Sequence, residues 1–404
     1  MSTESKSGGI KALSFDGGGV CALSALVILQ EFMRRLQAAL GTKDQLRPCE
    51  CFDIIAGAGT GGLIAILLGR LGMSVDEAIA AYQGILSKAF SEKKILGGDA
   101  TFKATNLESA INQVVTRCTG DQNTSMLTSN SEGCKTFVCT ALAHNVTAGV
   151  PVLIRTYEAF ENEGPRCTIR EAARATSAMA GLFKPVTIVD RGLESSYMDS
   201  GLGNNNPTAC MLAEIEQMFP AHKISLVVSI GSGHISPISS HAVKATTLGM
   251  NIAMDSERVA QDMARRFQNT TNLYFRFNVE QGLQHIGPAS CEKMPEVTAH
   301  TRKYIQMAEV DEKLTRALKA FSTGSGAIST SRLSGNIAAT EDVQLLKECP
   351  PPSPAFTGRD DILAQMHDSI FDDLPKRHTF VLHGLGGAGK TQLALRFVDT
   401  YREK

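Results

Sequence analysis

The chain has almost no net charge: 40 basic residues against 41 acidic ones leave −1 at pH 7. It therefore has no overall pull toward nucleic acid or anionic lipid, and any lipid contact has to be local. No run of about 18 or more apolar residues appears, so a helical membrane span is not expected. The ten cysteines include no C-x-x-C pair, and the nine histidines include no H-x-x-x-H or H-E-x-x-H pair, so no metal centre is indicated. No secretory leader precedes the first apolar strand, and reduced, mostly buried thiols in a cytoplasmic setting are expected. There is no internal repeat.

What is present is an ordinary globular composition, 43% hydrophobic and 20% charged over 404 residues, long enough for two modules. Residues 1–9 are small and polar and read as a flexible tail. Ile10–Phe15 reads as a strand ending in Asp16-Gly17-Gly18-Gly19. A helical stripe of Leu26, Leu29, Met33, Leu36 and Leu40 follows. The segment Phe52–Gly62 is a second strand and glycine turn, leading into the apolar run Leu63–Leu68. Ser74 precedes a helix over Val75–Phe90 as its cap. Asn106–Val115 and the alanine-rich Arg170–Leu182 read as further helices. Thr136–Ala143, Val152–Thr156, Ile224–Ile230 and Asn272–Phe277 read as strands, and Tyr197–Pro207 as a long turn-forming loop. Later helices carry Leu248, Ile252, Val259 and Met263, and then Tyr304, Met307, Leu314 and Leu318. Strands alternating with helices predict an α/β fold, a mainly parallel sheet between two helical layers. Residues 322–355, rich in Ser, Gly and Thr and ending in prolines, read as a flexible linker.

The turn Gly57-Ala58-Gly59-Thr60-Gly61 has the shape of a nucleophile elbow, G-x-S-x-G, with Gly59 where the hydroxyl residue belongs. Glycine tolerates the strained backbone of such a turn, so the turn survives while the nucleophile is lost. Four blocks then occur in order: Asp16–Gly19, Gly57–Gly62, Ala172–Ala178 and Asp199–Pro207. With these blocks the segment 10–321 resembles a patatin-like phospholipase domain. The resemblance implies a three-layer α/β fold and a lipid acyl hydrolase with a Ser-Asp dyad, no metal and no other cofactor. It implies that Asp199 is the base, that Gly59 stands at the nucleophile position, and that the amides of Gly17, Gly18 and Gly19 form the oxyanion hole. Cys21, Ala22 and Ser200 depart from the family pattern, which has Arg, Gly and Gly there. On its own terms Asp16 reads equally as a helix cap; Asp199 could be only a turn residue, but its place in the ordered blocks favours the site reading. Thr60, one residue past the apex, is expected to turn away from the oxyanion donors.

The last stretch carries a separate motif. Gly384-Leu385-Gly386-Gly387-Ala388-Gly389-Lys390-Thr391 matches G-x-x-x-x-G-K-[ST], with strand-like Thr379–Leu382 before it and an apolar helical face after it. Gly384 and Gly389 would cradle phosphates, Lys390 would reach the β/γ-phosphates and Thr391 would ligate magnesium. Residues 356–404 resemble the opening strand, P-loop and helix of an NB-ARC/NACHT-type NTPase. Mg-ATP or Mg-GTP is expected only in a complete domain of that kind. Together the two resemblances imply a lipid acyl hydrolase domain of an intracellular receptor-like protein, expected to be inactive because of Gly59. The alternative is a non-catalytic lipid-binding or interaction module in an NTPase-switched assembly. The expected partners are a lipid or fatty-acyl ester, a peripheral membrane surface and further copies joined through the NTPase region, with no nucleic acid.

Overall fold

Each strand at the centre of this protein is a short, nearly continuous apolar run, the pattern of strands covered on both faces. The computed structural model describes residues 9–94, 100–129, 133–145, 150–159, 161–234, 256–323, 328–330, 333, 352–353, 356–371, 380–383 and 389–401. It divides into two units, Met1–Asn336 and Ile337–Lys404.

In the first unit the strands are β1 (Ile10–Phe15), β2 (Ile54–Ala58), β3 (Lys135–Leu142), β4 (Val152–Arg155), β5 (Val186–Asp190), β6 (Leu193–Asp199), β7 (Lys223–Ile230), β8 (Tyr274–Phe277) and β9 (Ile328–Ser329). They form one sheet in the order β5-β6-β3-β2-β1-β7-β8, with β4 on β3 and β9 on β7. The run β3-β2-β1-β7-β8 is parallel throughout, and β4, β5, β6 and β9 pair antiparallel. This is the expected mainly parallel sheet flanked by helices.

The pairing along β3 places the site. Lys135–Cys139 pair with Ile54–Ala58 of β2, and the next residues, Thr140–Leu142, pair with Asp199–Tyr197 of β6. Since β4 takes the other edge over Phe137–Thr140, β2 and β6 share one edge and meet end to end. Ala58 faces Cys139, and Asp199 faces the following Thr140.

The helix Leu23–Leu40 buries Leu26, Leu29, Met33 and Leu36, but Leu40 is 53% exposed, so the apolar stripe leaves the core one turn early. Ser74 and Glu77 form the reciprocal cap of the helix Val75–Ala89. The helix expected over Asn106–Val115 runs longer, Ala104–Thr119. The one expected over Arg170–Leu182 is only Ile169–Thr176. Beyond it the carbonyls of Gly181 and Leu182 accept from Thr101 and Phe102, so that backbone is spent on a neighbouring segment instead of a helix. Tyr197–Asp199, expected in a loop, ends strand β6, because β3 pairs with all three residues and β5 with Tyr197, a pairing that the local turn residues do not advertise. The strand expected over Asn272–Phe277 starts at Tyr274. A helix covers Glu257–Arg266, with Leu248 and Ile252 outside the described residues.

The span 322–355 is not all linker. Ser322 and Thr323 finish the helix Ala308–Thr323, Ile328–Ser329 add a strand to β7, and Leu333 is buried. The open edge of β7 at Lys223–Ile224 satisfies a segment too polar to fold alone; most of the rest of the span lies outside the described residues.

In the second unit the helices Asp360–Phe371 and Lys390–Tyr401 pack through Leu363, Met366, Leu393 and Phe397. Phe380–Leu382, expected in a strand, pair with no strand among the described residues.

A buried ion pair ties β1 to the far side of the sheet. Asp16, fully buried at the end of β1, accepts from Arg276 of β8 at 3.0 Å and 2.5 Å, and the same guanidinium reaches Ser229 of β7 at 3.0 Å. Asp16 therefore does not cap the helix that follows. Removing one member of a buried pair strands the other charge, at about 3–5 kcal/mol. Arg276→Met should destabilise the first unit by that amount in urea unfolding, and Asp16→Leu with Arg276→Met by markedly less. Equal losses for the single and the double variant would rule out the pair as the anchor.

Candidate functional site

Because β1 and β2 are parallel neighbours, their carboxyl ends put two glycine turns side by side, Asp16–Gly19 and Gly57–Gly62. The turns are in backbone contact: a Cβ on Gly61 would collide with the carbonyls of Phe15 and Asp16. At the apex Gly59 has φ 56° and ψ −133°, a region an L side chain enters only under strain. The Thr176 hydroxyl donates to the carbonyl of Gly59 at 3.2 Å and to that of Cys139 at 3.0 Å, pinning the apex to β3.

Asp199 arrives from the other direction, at the end of β6. A Cβ built on Gly59 would stand 3.1 and 3.2 Å from its two carboxylate oxygens and 3.2 Å from the Cα of Gly17. The apex, the aspartate and the glycine turn thus converge on the position from which a serine side chain would project, and residue 59 offers only hydrogen there. The carboxylate leans into part of that space. Asp199 is 4% exposed; burial pushes its pKa up to about 7, against the smaller opposing effect of the Gly201 amide, which donates to Oδ1 at 2.8 Å. That makes it a stronger base than an ordinary carboxylate.

The glycine amides are already engaged. Gly17 N–H donates to the carbonyl of Asn205 at 3.2 Å, which removes it from the expected set of free oxyanion donors. Gly18 and Gly19 donate to the Thr60 hydroxyl oxygen at 3.3 and 2.9 Å. Thr60 was expected to face away; the chain reversal at Gly59 instead returns the first helical residue beneath the neighbouring turn. The carbonyl of Gly17 accepts from Ser232 at 2.6 Å and from the Asn205 side chain at 3.3 Å, so both flanking loops hold this turn.

A narrow cavity runs from this point into an apolar wall. Leu63, Leu86, Phe90, Leu107, Met179, Leu182 and Phe183 line it, with Thr60, Ser177 and Asp199 supplying its polar side groups. Its free volume of about 10 Å³ is room for about one water, so an acyl chain would have to part the walls. Ser177 is buried and its hydroxyl has no hydrogen-bond partner among the described residues. Ser200, the other nearby serine, is turned to the carbonyl of Asn204 at 3.3 Å. A roomier groove of about 690 Å³ lies elsewhere, along the helix Leu23–Leu40, where Arg35 pairs with Glu31 and Asp311 and Asp76 accepts from Gln30 and Gln45.

Among the described residues no group of His, Cys, Asp and Glu could hold a metal ion, and no helix is long and apolar enough to cross a membrane. Cys21, which stands where the family pattern has arginine, is buried and its thiol is pushed up to about 12, so it brings no charge to the turn.

Of the P-loop residues, Gly384 lies outside the described residues. Gly389 has φ 78°, its carbonyl accepts from Leu393 at 2.9 Å, and Lys390 and Thr391 open the helix Lys390–Tyr401.

Sequence reasoning turned Thr60 the wrong way, and it missed Arg276 and also Tyr82, which donates to the carbonyl of Gly19 at 2.7 Å. Only Arg276 left a signal, a lone charge inside the strand Tyr-Phe-Arg-Phe. The others depend on which turns lie side by side.

The family model described as patatin-like phospholipase matches residues 13–212. Calcium-independent phospholipase A2-gamma of Homo sapiens is 26% identical over 324 residues, covering 75% of this chain and 38% of that protein. "Probable inactive patatin-like protein 9" of Arabidopsis thaliana is 26% identical over 246 residues, covering 57% of this chain and 62% of that protein. The chain thus spans under two thirds of either relative. VipD from Legionella pneumophila aligns over 89% of this chain and 77% of its own at 10% identity, with a TM-score of 0.38, too low to carry an argument.

Two outcomes follow from the apex. Gly59→Ser should cost about 1–3 kcal/mol in denaturant unfolding, because a side chain there meets both a positive φ and the Asp199 carboxylate; a variant as stable as the parent would show that the turn is not strained. Asp199 binds its proton more tightly folded than unfolded. Its contribution is therefore full below about pH 4, falls as pH rises to about 7, and is flat above that. Asp199→Asn keeps the acceptor for Gly201 and removes the titration. Its melting temperature relative to the parent should be higher at pH 8 than at pH 4.5, and a pH-independent difference would refute the raised pKa.

Proposed function

We propose that the patatin-like phospholipase domain of this chain holds a fatty-acyl lipid at the Gly59–Asp199 site without hydrolysing it. The observation that carries this reading is the apex itself: the elbow, the buried Asp199 and the glycine turn converge on a residue with no hydroxyl. Ester hydrolysis by a Ser-Asp pair needs the serine oxygen to attack the carbonyl carbon while the aspartate takes its proton. With glycine, Asp199 has no serine proton to take. Losing the nucleophile of a serine hydrolase commonly costs on the order of 10⁶ in turnover, which leaves binding as the function. The phospholipase relatives support a lipid as the ligand, and one relative's printed name already describes a patatin-like protein as inactive.

The motif at Gly384–Thr391 supports a wider context in which an NB-ARC/NACHT-type NTPase binds Mg-ATP or Mg-GTP and switches assembly of a cytoplasmic, receptor-like protein. The lipid-holding domain would then act as its sensor or effector at a membrane surface.

The test compares hydrolysis of a short-chain nitrophenyl ester and of a phospholipid by the chain as given, by Asp199→Ala, by Gly59→Ser, and by Gly59→Ser with Asp199→Ala, alongside equilibrium binding of a fatty-acyl ligand to the first. Binding without turnover by the given chain, partial activity in Gly59→Ser and its loss in the double variant are expected. Turnover by the unmodified chain that Asp199→Ala lowers would overturn the non-catalytic reading. Absence of acyl-ligand binding would overturn the lipid reading.

A further inference from the structure

The donors that a carbonyl oxygen would use are occupied by the protein itself. Thr60 is buried, and its hydroxyl oxygen accepts from the amides of Gly18 and Gly19 at 3.3 and 2.9 Å. Tyr82, fully buried, donates its hydroxyl proton to the carbonyl of Gly19 at 2.7 Å. The tyrosine proton thus has an acceptor in Gly19, and both glycine amides have one in Thr60, so the Gly19 peptide is held at its N–H and at its C=O. Thr60 also lines the narrow cavity beside Asp199, so its hydroxyl sits where the cavity meets the glycine turn.

We propose that Thr60 is a positioning residue whose hydroxyl fixes the Gly18 and Gly19 amides, with Tyr82 holding the Gly19 carbonyl, and stands in for a ligand oxygen until a carbonyl group displaces it. The hydrogen bonds are independent of what the domain binds; the displacement rests on the reading that an acyl lipid occupies the cavity. A ligand carbonyl gains from these amides only the difference between its own hydrogen bonds and those of Thr60. Removing the hydroxyl while keeping the side-chain shape leaves the buried Gly19 donor and the half-buried Gly18 donor without that acceptor, and a ligand oxygen then gains the whole interaction.

Thr60→Val, Thr60→Ser and Tyr82→Phe, each in the whole chain labelled with ¹⁵N-glycine, provide the test. Amide exchange at Gly18 and Gly19 should quicken about tenfold or more in Thr60→Val, and stay near the parent value in Thr60→Ser, which restores the acceptor. Tyr82→Phe should quicken it by a smaller factor, and decides the matter if Thr60→Val does not fold. Unchanged exchange in the variants that fold, or equal acceleration in Thr60→Val and Thr60→Ser, would overturn the assignment. In parallel, binding of 2-tridecanone is compared with that of tridecane, which has the same chain and no carbonyl. Thr60→Val should tighten the ketone about tenfold relative to the alkane and Thr60→Ser should not; an unchanged or weakened ketone preference overturns the displacement. If neither compound binds any variant, the lipid reading fails and displacement with it, while exchange still decides the role of Thr60.

Discussion

Everything in the candidate site depends on two backbone turns lying against each other with no side chain between them. β1 and β2 are adjacent and parallel, so the turns leaving them must pass within contact distance, and Gly61 is where a Cβ would strike the carbonyls of Phe15 and Asp16. That approach places the Gly18 and Gly19 amides over the start of the helix Thr60–Ala65 and leaves Gly59 as the apex facing Asp199. The anchors lie on both sides: Arg276 holds Asp16 from β8, and Thr176 joins the apex to β3. The turn geometry is thus maintained by groups that take no part in ester chemistry, so a change at residue 59 removes the nucleophile without dismantling the frame.

The burial of Asp199 is the second consequence. End-to-end meeting of β2 and β6 along one edge of β3 delivers the carboxylate into a site with one amide donor and otherwise apolar walls. Charge is disfavoured there, which raises the pKa to about 7 and suits a base for a serine hydroxyl. Beside the carboxylate in the cavity wall the hydroxyl of Ser177 has no hydrogen-bond partner among the described residues. On the proposed reading, a ligand bringing one polar group on an apolar chain would suit these walls better than a wholly polar one.

The amino-acid sequence by itself determined the elements that announce themselves locally. Ile10–Phe15 is a strand to the residue, Ser74 and Glu77 start a helix through their own side chains, and parallel α/β architecture follows from apolar strands alternating with helices. The glycine at position 59 was equally plain, because a missing hydroxyl is a chemical fact that no folding changes. Tertiary structure decided what depends on partners distant in the chain. The hairpin that carries Asp199 exists through pairing between Val186–Asp190 and Leu193–Tyr197 and between Tyr197–Asp199 and β3, while its own loop residues suggested only a turn. Ile328–Ser329 is a strand because β7 had an open edge, although composition marked it as linker. The orientation of Thr60, the loss of Gly17 as a free donor and the Asp16–Arg276 pair all join residues more than 40 positions apart. Periodicity and turn propensity are sums over near neighbours, and they carry no information about which two turns the sheet order brings together.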